Sequence, residues 1–383
     1  MSRMRLLMVS GRTPGKVAMA TWGRARCWCR AVARSRSARV RTGRRHGQSP
    51  VEEDNPAAVA AALCADLAEQ RLCSAGNCGS IRDSPILFGM TSRLRARVVT
   101  ANRLQFGVLE AGSGPLALCL HGFPDSAHTW RYLMPVLADA GFHAVAPFMR
   151  GYAPTGIPED GCFGLGALVA DTVGLHDVLG GDDRAVLIGS DWGAEVAYGA
   201  AAFAPDRWRR VVTLGVPPLA LDTRIFADYD QLKRFFYVFF LKTPFAESVL
   251  AAGDMAFLDR LWQDWSPGYD ASENLRNVKR CLRGEGNLAA AIGYYRADEP
   301  GLRRFGGNGA YAAEEQALAS CGPQPTLYLH GNRDGCIGLS LVQDAGRHLA
   351  AGSRMEVVEG AGHFLHVEKP TAVNDRVLAW VSA

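Results

Sequence analysis

From about residue 95 onward, short segments rich in Val, Leu, Ile and Ala recur between clusters of glycine, proline, aspartate and asparagine: 95–100, 104–109, 116–120, 143–145, 185–188, 210–214, 326–330 and 355–358. Runs of this length, bounded by turn formers, predict strands, and the longer stretches between them predict helices. Strand and helix alternate up to about residue 216, a helix-rich stretch of about a hundred residues follows, and alternation resumes near Pro323. That order predicts the α/β class: a mostly parallel sheet with helices on both faces, divided into a first part at 90–216 and a second at 321–383. The helical insert at 217–320 would cover the strand ends as a lid. Within it, Gly306-Gly307-Asn308-Gly309 reads as a return loop rather than a phosphate cradle, and no internal repeat is present.

The segment Gly189-Ser190-Asp191-Trp192-Gly193 joins the apolar run 185–188 to a helical stretch, 194–203. It has the G-x-nucleophile-x-G form of a strand-to-helix elbow, with a carboxylate in place of the usual serine. The change of atom changes the chemistry. A serine hydroxyl needs a base before it attacks, whereas an aspartate is ionised at neutral pH and attacks unaided. It favours displacement at a saturated carbon, and the ester that results has a carbonyl belonging to the enzyme. A base left free by the first step can then direct water at that carbonyl.

The other parts of such a two-step reaction follow in order. The strand 326–330 ends in Gly331-Asn332-Arg333-Asp334-Gly335, and the strand 355–358 leads to Gly362-His363-Phe364. Both loops leave the carboxyl ends of strands, where open parallel sheets keep their sites. Asp334 is therefore the candidate acid, with Asp222 after the preceding strand as the alternative, and His363 is the candidate base. Upstream, the strand 116–120 opens into His121-Gly122-Phe123-Pro124. The N–H groups of Phe123 and Trp192 would form a two-donor oxyanion hole. His121 is expected to order its own loop by hydrogen bonding.

Taken together, His121-Gly122-Phe123-Pro124, Arg150-Gly151-Tyr152, the Asp191 elbow, the Asp334 loop and Gly362-His363 resemble the epoxide hydrolase and haloalkane dehalogenase branch of the α/β-hydrolase fold. The resemblance spans residue 95 to the C-terminus. It implies an inserted helical lid, no metal and no organic cofactor. Phe236-Tyr237 through Thr243-Pro244 is similar to the segment carrying the first lid tyrosine of epoxide hydrolases, and Gly293-Tyr294-Tyr295-Arg296 to the segment carrying the second. Tyr237 and Tyr295 are the residues so implied, with the adjacent Tyr294 as fallback. Two phenols suit an epoxide, because opening the ring creates an alkoxide that two donors stabilise. A leaving halide needs no proton, and Phe123 stands where dehalogenases commonly place an asparagine. The resemblance therefore implies conversion of an epoxide to a vicinal diol through an ester to Asp191, with haloalkane dehalogenase and a non-catalytic ligand sensor as alternatives. Where the family usually reads Pro-Asp, this chain has Pro147-Phe148, a change that bears on pocket shape. The apolar Phe236 and Val238 beside Tyr237 point to a small hydrophobic epoxide, with water as co-substrate.

Composition sharpens this picture at the ends. Forty-eight per cent hydrophobic and 21% charged residues in a 383-residue chain are ordinary globular usage. Thirteen basic and no acidic residues fall within the first 50, so that a chain total of +4 leaves −9 for the remainder, which argues against nucleic acid as partner. Residues 1–89 read as a disordered or non-native extension or an organelle transit peptide, with the folded enzyme starting near Met90. The ten cysteines form no C-x-x-C pair, and Cys119 sits in an apolar strand as a small core residue. Reduced thiols and the absence of any apolar stretch long enough to span a bilayer make the expected compartment cytoplasmic.

Overall fold

A computed structural model describes residues 94–298 and 309–383. The extension before residue 90, the start at Met90 and most of the Gly306–Gly309 loop lie outside the described residues. Eight strands form one sheet: β1 (Arg95–Ala101), β2 (Leu104–Ala111), β3 (Leu116–Leu120), β4 (His143–Pro147), β5 (Val186–Ser190), β6 (Arg210–Leu214), β7 (Thr326–Gly331) and β8 (Arg354–Val358). Their spatial order is β1-β2-β4-β3-β5-β6-β7-β8. The first hairpin is antiparallel and joins β4 antiparallel, whereas the pairs from β4 through β8 are all parallel.

The run of apolar residues makes the central strands what they are. Every residue of β3, β5 and β7 is buried, as strands covered on both faces require. The helices Leu165–Val178 and Trp192–Phe203 pack against each other and on the sheet, and Met134–Asp139 lies against Pro370–Ser382. β5 extends two residues beyond the apolar run at 185–188, because Ser190 still pairs with Leu214. The expected and observed strands otherwise agree to within about two residues at their ends.

What this topology does for a site follows from the position of β3. Its neighbours are β4 on one side and β5 on the other, so the chain order reverses there and the loops leaving β3 and β5 flank an open crevice at the strands' carboxyl ends. That crevice holds the Phe123 loop and Asp191 side by side. Between β6 and β7 the described residues are mostly helical, with segments at Asp222–Ile225, Tyr229–Arg234, Phe236–Phe240, Ala246–Trp265, Ser272–Leu282, Asn287–Ala297 and Ala312–Ala317. Among the described residues, no helix is long and apolar enough to cross a membrane.

Candidate active site

Asp191 leaves β5 at φ 54° and ψ −124° and caps the helix Trp192–Phe203. A positive φ is strained for a residue with a side chain and persists only where the surroundings over-determine it. Here the Asp191 amide donates to the Leu214 carbonyl at 3.2 Å, and its own carbonyl accepts from the Ala194 amide at 2.8 Å. The flanking glycines permit the bend by lacking Cβ. One added at Gly189 would lie 2.0 Å from the Gly193 oxygen, and one at Gly193 would lie 2.2 Å from the Leu120 oxygen. Gly122 is required for a different reason: a Cβ there would sit 2.2 Å from Oδ1 of Asp191, in the space the carboxylate occupies.

The two oxygens of Asp191 have different partners. Oδ1 accepts the Phe123 amide at 2.6 Å, while Oδ2 lies 3.5 Å from Nε2 of His363. Nε2 makes no hydrogen bond among the described residues. On the other side of the ring, Nδ1 lies 2.9 Å from Oδ2 of Asp334. Asp334 is itself fixed by the Cys336 and Ile337 amides, which donate to Oδ1 at 2.7 and 2.9 Å. The expected acid is thus the one that meets the histidine; Asp222, the alternative, lines the cavity wall. Of the two amides expected at the oxyanion, that of Phe123 reaches the resting carboxylate. Trp192 begins the helix directly after it, without a hydrogen bond from its amide to Asp191 among the described residues. His121 bridges two loops: Nδ1 lies 3.0 Å from the Gly122 carbonyl and Nε2 accepts the Met149 amide at 3.0 Å.

Electrostatics follow from this geometry. Burial alone would lower the His363 imidazole, but the Asp334 and Asp191 carboxylates on either side outweigh it and push it up to about 10. Burial would raise Asp334; His363, His330 and the Ile337 amide reverse this and hold it below its ordinary value. Since Asp191 contributes to the His363 shift, Asp191→Asn should lower the imidazole pKa below about 10. An NMR titration of the His363 ring nitrogens measures this, and an unchanged midpoint would mean that Asp191 does not set the protonation of the histidine.

Tyr237 and Tyr295 come to the same cavity from two different helices, with rings 5.7 Å apart and nearly perpendicular. Tyr295 packs edge-on against Phe123 and Trp192, at 5.2 and 5.1 Å, and its hydroxyl has no hydrogen-bond partner among the described residues. Burial pushes both phenols well above their ordinary value, aided chiefly by Cys336 at Tyr237 and by Asp191 at Tyr295, so both remain protonated donors. Tyr294 turns away from the cavity and donates its hydroxyl to the Arg150 carbonyl at 2.8 Å. Arg150 in turn makes a buried two-pronged ion pair with Asp171, at 2.6 Å through Nε and 2.6 Å through Nη2. Val216, Pro217, Ile225, Phe226, Val238 and Ile337 supply most of the remaining cavity wall.

Sequence reasoning missed two parts of the site. Trp265 accepts the His363 amide on its carbonyl at 3.0 Å and the Gly335 amide at 3.1 Å, so one residue of the inserted helices joins the loops that carry His363 and Asp334. Cys336 lies against the Tyr237 hydroxyl, with Sγ at 3.4 Å. Neither contact leaves a local signal, because each joins segments distant in sequence.

A strained carboxylate elbow backed by an acid and a histidine, at the carboxyl edge of a mostly parallel sheet, defines an α/β hydrolase. The family model for the alpha/beta hydrolase fold matches residues 115–370. "Epoxide hydrolase" of Caballeronia sordidicola is 30% identical over 269 residues, covering 64% of this chain and 80% of that protein. "Epoxide hydrolase A" of Mycobacterium tuberculosis is 28% identical over 323 residues, covering 75% of this chain and 97% of its own length. The ligand-free structure of the epoxide hydrolase CorEH superposes with a TM-score of 0.64 at 25% identity, over 76% of this chain and 99% of that one. The chain belongs to the α/β-hydrolase fold family and, within it, to the epoxide hydrolases.

Proposed function

We propose that this enzyme opens an epoxide to a vicinal diol in two steps, through an ester to Asp191. The observation that carries the reading is the convergence of two buried, protonated phenols and the Asp191 carboxylate on one cavity, with His363 and Asp334 behind the carboxylate. Oδ1 of Asp191 is anchored by the Phe123 amide, which leaves Oδ2 to attack a ring carbon. Tyr237 and Tyr295 stabilise the oxygen as its C–O bond breaks. The product ester is neutral, so one of the carboxylates that raises the His363 pKa is gone. His363 then gives up its proton, formally the one the opened ring's oxygen requires, and becomes the base for the second step. Water deprotonated at Nε2 attacks the Asp191 carbonyl carbon, while the carbonyl oxygen already sits on the Phe123 amide and can recruit Trp192. Collapse releases the diol and restores the carboxylate and imidazolium.

In the same reading, residues 217–320 act as a lid carrying both phenols, and 90–216 and 321–383 are the two parts of the catalytic core. The mostly apolar wall favours a small hydrophobic epoxide, and water is the second substrate. Phe123 offers a halide no side-chain donor, and a ligand sensor has no use for an acid and a histidine paired at 2.9 Å. The test is turnover of a panel of aryl and aliphatic epoxides beside bromoalkanes of similar size. Diol formation should dominate; release of bromide faster than formation of diol would sink the proposal.

A further inference from the structure

Beside the expected machinery, one buried nucleophilic side chain lies in the cavity without a role in either chemical step. Cys336 lines the same wall as Asp191, Tyr237 and Tyr295 and is 1% exposed. We propose that its thiol is the resting acceptor of the Tyr237 O–H and holds that phenol in place, at a small cost in rate, until it turns toward the epoxide oxygen, an inference that rests on the epoxide reading above.

Geometry supports a positioning role. Sγ lies 3.4 Å from the Tyr237 oxygen. The backbone of Cys336 is clamped at both ends of its peptide: its amide donates to Asp334 at 2.7 Å and its carbonyl accepts Nε2 of Gln231 at 2.7 Å. Gln231 is fixed in turn, because its Oε1 accepts the Gly338 amide at 2.9 Å. Tyr237 is held by its own neighbours, with its ring 4.8 Å from that of Trp265. The sulfur therefore stands at a fixed point beside a ring whose place is also fixed, and what remains free is the direction of the phenol O–H.

The two phenols consequently differ at rest. Tyr295 has no hydrogen-bond partner among the described residues and meets an arriving epoxide at once, whereas Tyr237 must first leave the sulfur. Sulfur suits that task because it is a weak acceptor, satisfying a buried hydroxyl without trapping it. Burial keeps the Cys336 thiol protonated, so it does not compete with Asp191 for the electrophile.

A serine in its place would accept a shorter and stronger hydrogen bond and hold the phenol back. The test is the single-turnover rate of alkylation by styrene oxide, measured for Cys336→Ser and Cys336→Ala in the wild-type and Tyr237→Phe backgrounds. With Tyr237 present, Cys336→Ser should slow alkylation about three- to tenfold, and Cys336→Ala should speed it about two- to threefold. Both effects should vanish in the Tyr237→Phe background, which a general packing defect would not do. Equal slowing in both backgrounds, or no slowing by serine, overturns the proposal. If the serine variant does not fold, the alanine variant decides: a Tyr237-dependent gain in rate supports the proposal, and a Tyr237-dependent loss overturns it, because the thiol would then donate to the phenol instead of accepting from it. Should Tyr237→Phe alone leave alkylation unchanged, the assignment of Tyr237 as a donor falls as well, an outcome distinct from failure of the Cys336 role alone.

Discussion

His363→Gln should fold, take up one equivalent of epoxide as an ester on Asp191, and release almost no diol. Attack by a carboxylate needs no base, and the two phenols still meet the oxygen of the opening ring. Water is a poor nucleophile until a proton is removed, and the atom placed to remove it is Nε2, 3.5 Å from Asp191. Glutamine retains a donor for Asp334 but offers no base, so hydrolysis should fall by about 10²- to 10⁴-fold. Alkylation should slow without being lost, because the nascent alkoxide still meets both phenols but no longer receives the proton of His363. Intact-mass measurement after incubation with a reactive epoxide should find the protein heavier by one substrate, and Asp191→Ala should remove both the adduct and turnover. A folded His363→Gln variant that binds substrate yet gains no mass would exclude the ester route. A melting curve guards against collapse of the site, since His363 is fully buried and its ring packs against Trp265 and Phe364.

How much of this site was legible in the sequence depends on how local each constraint is. The Asp191 elbow was readable because its requirements lie within five residues: two glycines with no room for Cβ and a strand and a helix on either side. Asp334 and His363 were readable because each follows an apolar run at the carboxyl end of a strand. The order of the strands could be expected only as mostly parallel. That β3 lies between β4 and β5, which creates the crevice, is a matter of tertiary pairing. Tyr294 and Tyr295 mark the limit of the reading. Neighbours on a helix project about 100° apart, so one of them faces the cavity; the resemblance to epoxide hydrolases points to Tyr295, with Tyr294 as fallback, but a sequence without its packing partners holds no physical reason for that choice. The Arg150 carbonyl, 144 residues earlier in the chain, captures Tyr294 and leaves Tyr295 to the cavity. The Trp265 carbonyl and Cys336 escaped notice for the same reason: each acts across distant segments through groups that carry no motif.

The double variant Tyr237→Phe/Tyr295→Phe should be almost inactive on epoxides while still reacting with a bromoalkane. In the proposed reaction each phenol hydroxyl donates to an oxygen whose negative charge grows as the ring opens, in a cavity where few other donors compete. Losing one such transition-state hydrogen bond costs about 2.7–4 kcal/mol, on the order of 10²–10³ in rate. Either single variant should therefore slow alkylation strongly, and Tyr295→Phe should be the more damaging, because its hydroxyl has no hydrogen-bond partner among the described residues while that of Tyr237 lies 3.4 Å from the Cys336 sulfur. The second phenol partly covers for the first in a single variant, and nothing covers in the double. Replacing hydroxyl by hydrogen leaves the edge-on packing of the two rings in place, so stability should change little. Bromide departs without a proton and should scarcely register either loss. Single-turnover rates for wild type and variants on an epoxide and a bromoalkane of similar size separate the cases. Variants that open epoxides at the wild-type rate would strip the phenols of their role and, with them, the ground for preferring oxygen over halide as the leaving atom.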